Sequence, residues 1–167
     1  MKFCPMCGTT QSKVGARICE LCDYEEKPID ELTDAEIEEL MAPYIYERTY
    51  GGVRINSVKS GRNIGLRGKV ALPHFVTEIA AGAFANCKFI TRLDLPIGLR
   101  FIGENAFANC RDLFDVFIPD SVSFIGKGAF ADCLDLSVIC AAADAQLDTW
   151  DSEWLCDCPA CVEWASI

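Results

Sequence analysis

The sequence predicts an α/β solenoid, a parallel sheet backed by short helical turns with a 23-residue period, preceded by a small module held together by metal. Three observations carry this expectation. The hexapeptides GAFANC, NAFANC and GAFADC begin at Gly82, Asn105 and Gly128, 23 residues apart each time. Apolar residues fill the same columns of each copy. Two Cys-x2-Cys pairs stand near the amino terminus.

The chain has 167 residues, 51% of them hydrophobic, which is enough material for a buried core. Its formal net charge of -10 argues against nucleic acid and against an anionic membrane surface as partners, since both select basic surfaces. No run of apolar residues is long enough to span a bilayer. The opening MKFCPMCG puts cysteines where an export signal carries its apolar stretch, so the expected location is the cytoplasm, where thiols stay reduced or bind metal.

Eleven cysteines fall into three sets, and the odd total argues against a fully paired disulfide framework. The first set is Cys4, Cys7, Cys19 and Cys22 in CPMCGTTQSKVGARICELCDYE. A two-residue spacer lets both thiolates of a tight turn face one ion, and two such knuckles give the four tetrahedral sulfurs of a structural zinc site. Four sulfurs leave no open position for catalytic water. The segment resembles the zinc-ribbon modules with a CPxCG opening found at the amino termini of bacterial proteins. That resemblance covers residues 1–26 and implies one structural Zn²⁺.

Residues 1–27 are therefore expected to form a zinc ribbon, 28–43 a linker helix, and 44–167 the solenoid with its caps. Thr33-Asp34-Ala35-Glu36 is a capping-box pattern, Ile37, Leu40 and Met41 follow at helical spacing, and Pro43 stops the turn. This acidic helix reads either as a linker packed on the next domain or as a docking helix. Tyr44-Ile45-Tyr46 and Val53-Arg54-Ile55 flank Gly51-Gly52 and predict a hairpin that lids the first coil.

Within the repeat, Val76, Leu99 and Val122 align, as do Ile79, Ile102 and Ile125. Phe84, Phe107 and Phe130 form a third column and Cys87, Cys110 and Cys133 a fourth. Ile90, Leu113 and Leu136, then Leu93, Val116 and Ile139, then Leu95, Ile118 and Ala141 complete the set. One copy cannot bury such a face alone, whereas stacked copies share a continuous core. Each coil is expected to run strand, Pro turn, extended piece, helical turn, with Phe and Cys on one face of that turn. Gly82, Asn105 and Gly128 are placed for left-handed backbone, and Asn86, Asn109 and Asp132 for bonds to the next coil.

VSFIGKGAFADCLDL and LRFIGENAFANCRDLFDVFIP resemble the BspA-like branch of the leucine-rich-repeat family, whose copies read IPxxVTxIGxxAFxxCxxLxxIxIP. The resemblance covers residues 50–142, with Ala80 standing where the pattern has Gly. It implies a leucine-rich-repeat solenoid that binds a protein partner through its sheet face, or a cell-surface adhesin.

The outward positions of the strands form two ladders, Lys69, Arg92, Asp115, Val138 and Ala71, Asp94, Phe117, Cys140. Arg92, Asp94, Asp115, Phe117 and Val138 are the expected partner-binding residues. Phe117, Val138 and Cys140 read either as a free apolar patch that marks an interaction site or as surface covered by the chain's own tail, expected to start a helix at Asp148 with Trp150 and Trp154 on one face and to bury those rings on the open last coil. Cys140, Cys156, Cys158 and Cys161 read as a second zinc site, as surface thiols, or as the centre of a thiol-based redox or metal-responsive protein. His74, the only histidine, follows Pro73 in a turn and reads as a solvated residue rather than a base. With no phosphate loop and no dinucleotide fingerprint, the chain is expected not to be an enzyme.

Overall fold

The computed structural model describes residues 2–3, 10–11, 29–59, 66–143 and 145–164. Two compact units follow one another, Met1–Glu39 and Leu40–Ile167. In the first, strands β1 (Lys2–Phe3) and β2 (Thr10–Gln11) pair antiparallel. Cys4, Cys7, Cys19 and Cys22 lie outside the described residues. A 3-10 turn at Ile29–Glu31 precedes helix α1, Asp34–Leu40. The capping box is formed: Thr33 donates its backbone N–H to Glu36 Oε2 at 2.8 Å, and Glu36 N–H points back to Thr33 Oγ1 at 3.3 Å. Ile37 is buried, while Leu40 is exposed. No helix among the described residues is long and apolar enough to cross a membrane.

The second unit is a solenoid with two sheets. Strands β3 (Tyr44–Thr49) and β4 (Gly52–Val58) form the antiparallel hairpin around Gly51, whose φ of 88° turns the chain. From there the chain alternates between sheets. Strands β5 (Gly68–Ala71), β7 (Ile90–Asp94), β9 (Asp115–Ile118) and β11 (Val138–Ala141) build the first sheet in parallel register, and β12 (Cys161–Trp164) completes it in the order β12-β11-β9-β7-β5. Strands β6 (Val76–Ile79), β8 (Phe101–Ile102) and β10 (Phe124–Ile125) build the second, in the order β10-β8-β6-β4-β3. The extended piece expected after each Pro turn is thus a strand in its own right. Pro96 and Pro119 sit after the first-sheet strands, where a missing N–H does no harm to the ladder.

The core lies between the sheets. Every column read from the 23-residue alignment is buried there. The phenylalanines stack along the axis, Phe84 on Phe107 and Phe107 on Phe130, each pair with centroids 5.2 Å apart. Cys110 Sγ donates to Phe84 O at 3.3 Å and Cys133 Sγ to Phe107 O at 3.2 Å, so these two buried thiols each have an acceptor in the coil before them.

The helical turns of the α/β expectation are not formed, and the second unit is a β-solenoid. In the hexapeptide, amides that a helix would donate back four residues are donated forward to the next coil instead. Gly82 N–H reaches Glu104 O at 2.9 Å, Phe84 N–H reaches Ala106 O at 2.8 Å, and Asn86 N–H reaches Ala108 O at 2.8 Å. Only local bonds three residues apart remain, such as Cys87 N–H to Phe84 O at 3.1 Å. Each hexapeptide is therefore a pair of successive turns that still points Phe and Cys inward. The turns need left-handed backbone twice per coil: φ is 64°, 52° and 60° at Gly82, Asn105 and Gly128, and 65°, 60° and 56° at Asn86, Asn109 and Asp132. Asn109 Nδ2 donates to Asn86 Oδ1, a side-chain rung between coils.

Ala80 in place of Gly also has a physical reason. A Cβ built on Gly103 would stand 2.4 Å from Ala81 N, and one on Gly126 would stand 2.6 Å from Glu104 N, so both must be glycine. Ala80 belongs to the first full coil, preceded by strand β4 and bonded through its N–H to Ile55 O at 2.8 Å. No hexapeptide turn lies beneath it to exclude a methyl group.

Candidate protein interface

The first-sheet register brings the two predicted ladders together. Lys69 pairs with Arg92, Arg92 with Asp115, and Asp115 with Val138. Ala71 pairs with Asp94, Asp94 with Phe117, and Phe117 with Cys140. Side chains in a strand alternate between faces, so residues two apart share the outer face. Arg92, Asp94, Asp115, Phe117 and Val138 are all half-buried there. Strand β12 then extends both ladders by one position, Cys161 beside Val138 and Glu163 beside Cys140.

The face changes character along the axis. Near β5 it is ion-paired: Lys69 Nζ lies 3.0 Å from Asp94 Oδ2, Arg92 Nε lies 3.4 Å from Asp94 Oδ1, and Arg92 lies 3.5 Å from Asp115 Oδ2. Toward β12 it presents Phe117, Val138 and Cys140. The Cys140 thiol lies 3.8 Å from Glu163 Oε2 and is pushed above its ordinary pKa, first by burial, then by the neighbouring carboxylates of Glu163 and Asp115.

The tail closes the end of the solenoid and leaves this patch half-exposed. It forms turns rather than the expected helix, because it stacks as one more coil. Asp151 N–H bonds Ile125 O at 2.8 Å, Gly128 N–H bonds Glu153 O at 2.9 Å, and Phe130 N–H bonds Trp154 O at 3.1 Å. Trp150 and Trp154 are 3% and 2% exposed, with Trp154 edge-on to Phe130 at 5.9 Å and Trp150 Nε1 donating to Val122 O at 3.2 Å. Burying both rings with their polar atoms partnered satisfies the last apolar surface.

This coil reassigns the tail cysteines. Asp157, with φ of 59°, repeats the place of Asp132, and Cys158 N–H bonds Leu155 O at 3.1 Å as Cys110 N–H bonds Phe107 O at 3.3 Å. Cys158 Sγ lies 3.8 Å from Cys133 O, so it continues the inward thiol column. Cys156 and Cys161 are exposed, and Cys140 is on the sheet face. The four sulfurs are not gathered as a second zinc site: among the described residues no three His, Cys, Asp or Glu side chains group as metal ligands. The Leu-x-Asp-Cys spacing was the available signal for Cys158, but it falls 25 residues after the last copy rather than 23.

The second sheet carries a face that sequence reasoning missed. Glu47, Arg54, Glu78, Phe101 and Phe124 are neighbours in register across it. Arg54 lies 3.6 Å from Glu47 and 4.0 Å from Glu78, and Phe101 stacks on Phe124 with centroids 4.5 Å apart and planes 4° from parallel. A column of Glu78, Phe101 and Phe124 at the repeat period was the signal. His74 lies in the turn after Pro73, half-buried rather than solvated and edge-on to Phe75 at 5.2 Å, with Nε2 buried and, among the described residues, without a hydrogen-bond partner.

Residues 62–159 match the family described as the BspA type leucine rich repeat region, in 6 copies. Among solved structures the chain is similar to a leucine-rich repeat protein from Bacteroides capillosus, at 24% identity and a TM-score of 0.58 over 74% of this chain and 95% of that one. A leucine-rich repeat protein from Bacteroides ovatus is 28% identical with a TM-score of 0.51 over 61% of this chain. A leucine rich cell surface protein from Faecalibacterium prausnitzii is 19% identical with a TM-score of 0.52 over 74% of this chain. The chain spans 30% and 38% of the length of those last two. No curated protein matches it. With the match covering more than half its length, the chain belongs to the BspA type leucine-rich-repeat family.

Proposed function

We propose that this chain is a non-catalytic binding module that holds another protein on the outer face of its first sheet. The observation that carries the reading is the register of two outward ladders, which sets Phe117, Val138 and Cys140 side by side and half-exposed at the end of an ion-paired face. An apolar patch rimmed by charge is the usual form of a protein-binding surface. The test is affinity capture from lysate with the intact protein and with Phe117→Ser. A partner retained by the first and lost by the second supports the reading, and equal capture removes it.

The amino-terminal module serves as a support, with Cys4, Cys7, Cys19 and Cys22 holding one structural Zn²⁺. Two Cys-x2-Cys pairs support this, as does the antiparallel pairing of β1 and β2 on either side of residues 4–9. One zinc per chain by elemental analysis, lost in Cys4→Ser, is the expected result. The module works in the cytoplasm, where these thiols remain reduced.

A second reading, a surface adhesin, is favoured by the similarity to the leucine rich cell surface protein of F. prausnitzii. Cell fractionation separates the two, since an adhesin is recovered outside the cell.

A further inference from the structure

In a solenoid, order along the sequence becomes order along the axis, because each coil stacks on the one before it. The charge of this chain is sorted along that order. Residues 40–111 contain ten Lys and Arg against four Asp and Glu, whereas residues 112–167 contain Lys127 alone against eleven carboxylates. The first half of the solenoid is therefore basic and the second half acidic.

The apolar patch of the first sheet sits in the acidic half. Asp115 borders it on one side and Glu163 on the other. The cations of this face, Lys69 on β5 and Arg92 on β7, are engaged with Asp94 and Asp115. Glu163 is exposed, and among the described residues it has no cationic partner. Burial is the first cause of the raised pKa of the Cys140 thiol, and Glu163 and Asp115 add to it against the opposing pull of Arg92. A carboxylate-bearing segment laid on this patch would meet like charge, which costs affinity and slows encounter.

We propose that the segment bound on this face is cationic: a stretch of partner protein that lays an apolar side chain over Phe117 and Val138 and carries Lys or Arg beside it, toward Glu163. This rests on the reading of the first-sheet face as the docking surface and names the chemistry of what docks there. The second sheet also presents an aromatic pair, Phe101 and Phe124, but its rim adds nothing that selects an occupant.

Three synthetic peptides of equal length test the proposal by isothermal titration: one alternating Lys with Leu and Phe, one with Glu in place of Lys, and one with Ser in place of the apolar residues. The Lys–apolar peptide is expected to bind, with affinity that falls as salt rises. Glu163→Lys is expected to weaken it about tenfold, the effect of reversing a nearby charge. Glu104→Lys, an exposed position just before the second hexapeptide, makes the same change in net charge and is expected to leave binding unchanged. Equal binding of the Glu peptide, equal binding of the Ser peptide, or equal weakening by Glu104→Lys and Glu163→Lys would each overturn the cationic reading. If Phe117→Ser abolishes capture of a cellular partner while the Lys–apolar peptide fails to bind, the face stands and its proposed chemistry falls. If Phe117→Ser changes no capture, the face itself falls.

Discussion

The backbone N–H of Phe130 donates to the carbonyl of Trp154 at 3.1 Å, the same bond that Phe107 makes to Ala129 and Phe84 to Ala106 at 2.8 Å. The tail therefore does for the last hexapeptide what each later copy does for the one before it. Trp154 fills the space beyond Phe130 where another phenylalanine would stack.

Removing that ring should uncover the end of the core. Trp154→Ala is expected to lower stability by about 3–5 kcal/mol, as for other buried aromatic truncations. Chemical unfolding of the solenoid followed by circular dichroism checks it. An unchanged midpoint would mean that the tail rests on the coil without sealing it.

Gly98 and Gly103, five residues apart in one coil, divide by what lies under them. Gly103→Ala forces a methyl group against the backbone of Ala81, 2.4 Å away, and is expected to cost about 2 kcal/mol or more. Gly98→Ala meets only His74 O at 3.5 Å, and is expected to be neutral or to stabilise by up to about 1 kcal/mol through the unfolded chain. Thermal unfolding of the two variants side by side decides the ranking.

Burial pushes the Cys133 thiol from 9.0 up to about 12, and burial with the nearby Cys87 pushes the Tyr44 hydroxyl from 10.0 up to about 12. Both groups stay neutral in the folded protein over a range where they ionise in the unfolded chain. The unfolded state then binds fewer protons, so stability falls as pH rises. The full contribution is present below pH about 9 and is lost between about 9 and about 12. Urea unfolding at increasing pH is expected to show this decline, and Cys133→Ala is expected to make it shallower. A stability flat across that window would exclude the mechanism.

Thiol labelling of the native protein separates the cysteines by position. Cys156 and Cys161 are expected to react with iodoacetamide, and Cys87, Cys110 and Cys133 only after unfolding, because the thiolate is the reactive form and burial suppresses it. Mass spectrometry of the labelled peptides reads the outcome residue by residue.

Much of this was legible in the sequence because a solenoid writes its core as columns. The buried columns and the order Lys69, Arg92, Asp115, Val138 both follow from a period of 23 and alternation within a strand. The hexapeptide was misread as helix because its Phe–Cys spacing is helical, while the acceptors for its amides are supplied by the next coil, which no local pattern shows. The repeat strands of the second sheet were read only as an extended piece, since strands such as Phe101–Ile102 are too short for any periodicity to register. The tail escaped because two extra residues shift Asp157 and Cys158 out of step with Asp132 and Cys133.

Forward donation of amides has a consequence for how the molecule is made. A hexapeptide emerging from the ribosome offers the N–H groups of Gly128 and Phe130 before their acceptors at Glu153 and Trp154 have been synthesised. Translation and stacking thus run in the same direction, and every nascent length ends in an unfinished rung. A chain cut short before Trp150 would keep that rung open, a template onto which a neighbouring copy can add its own strand.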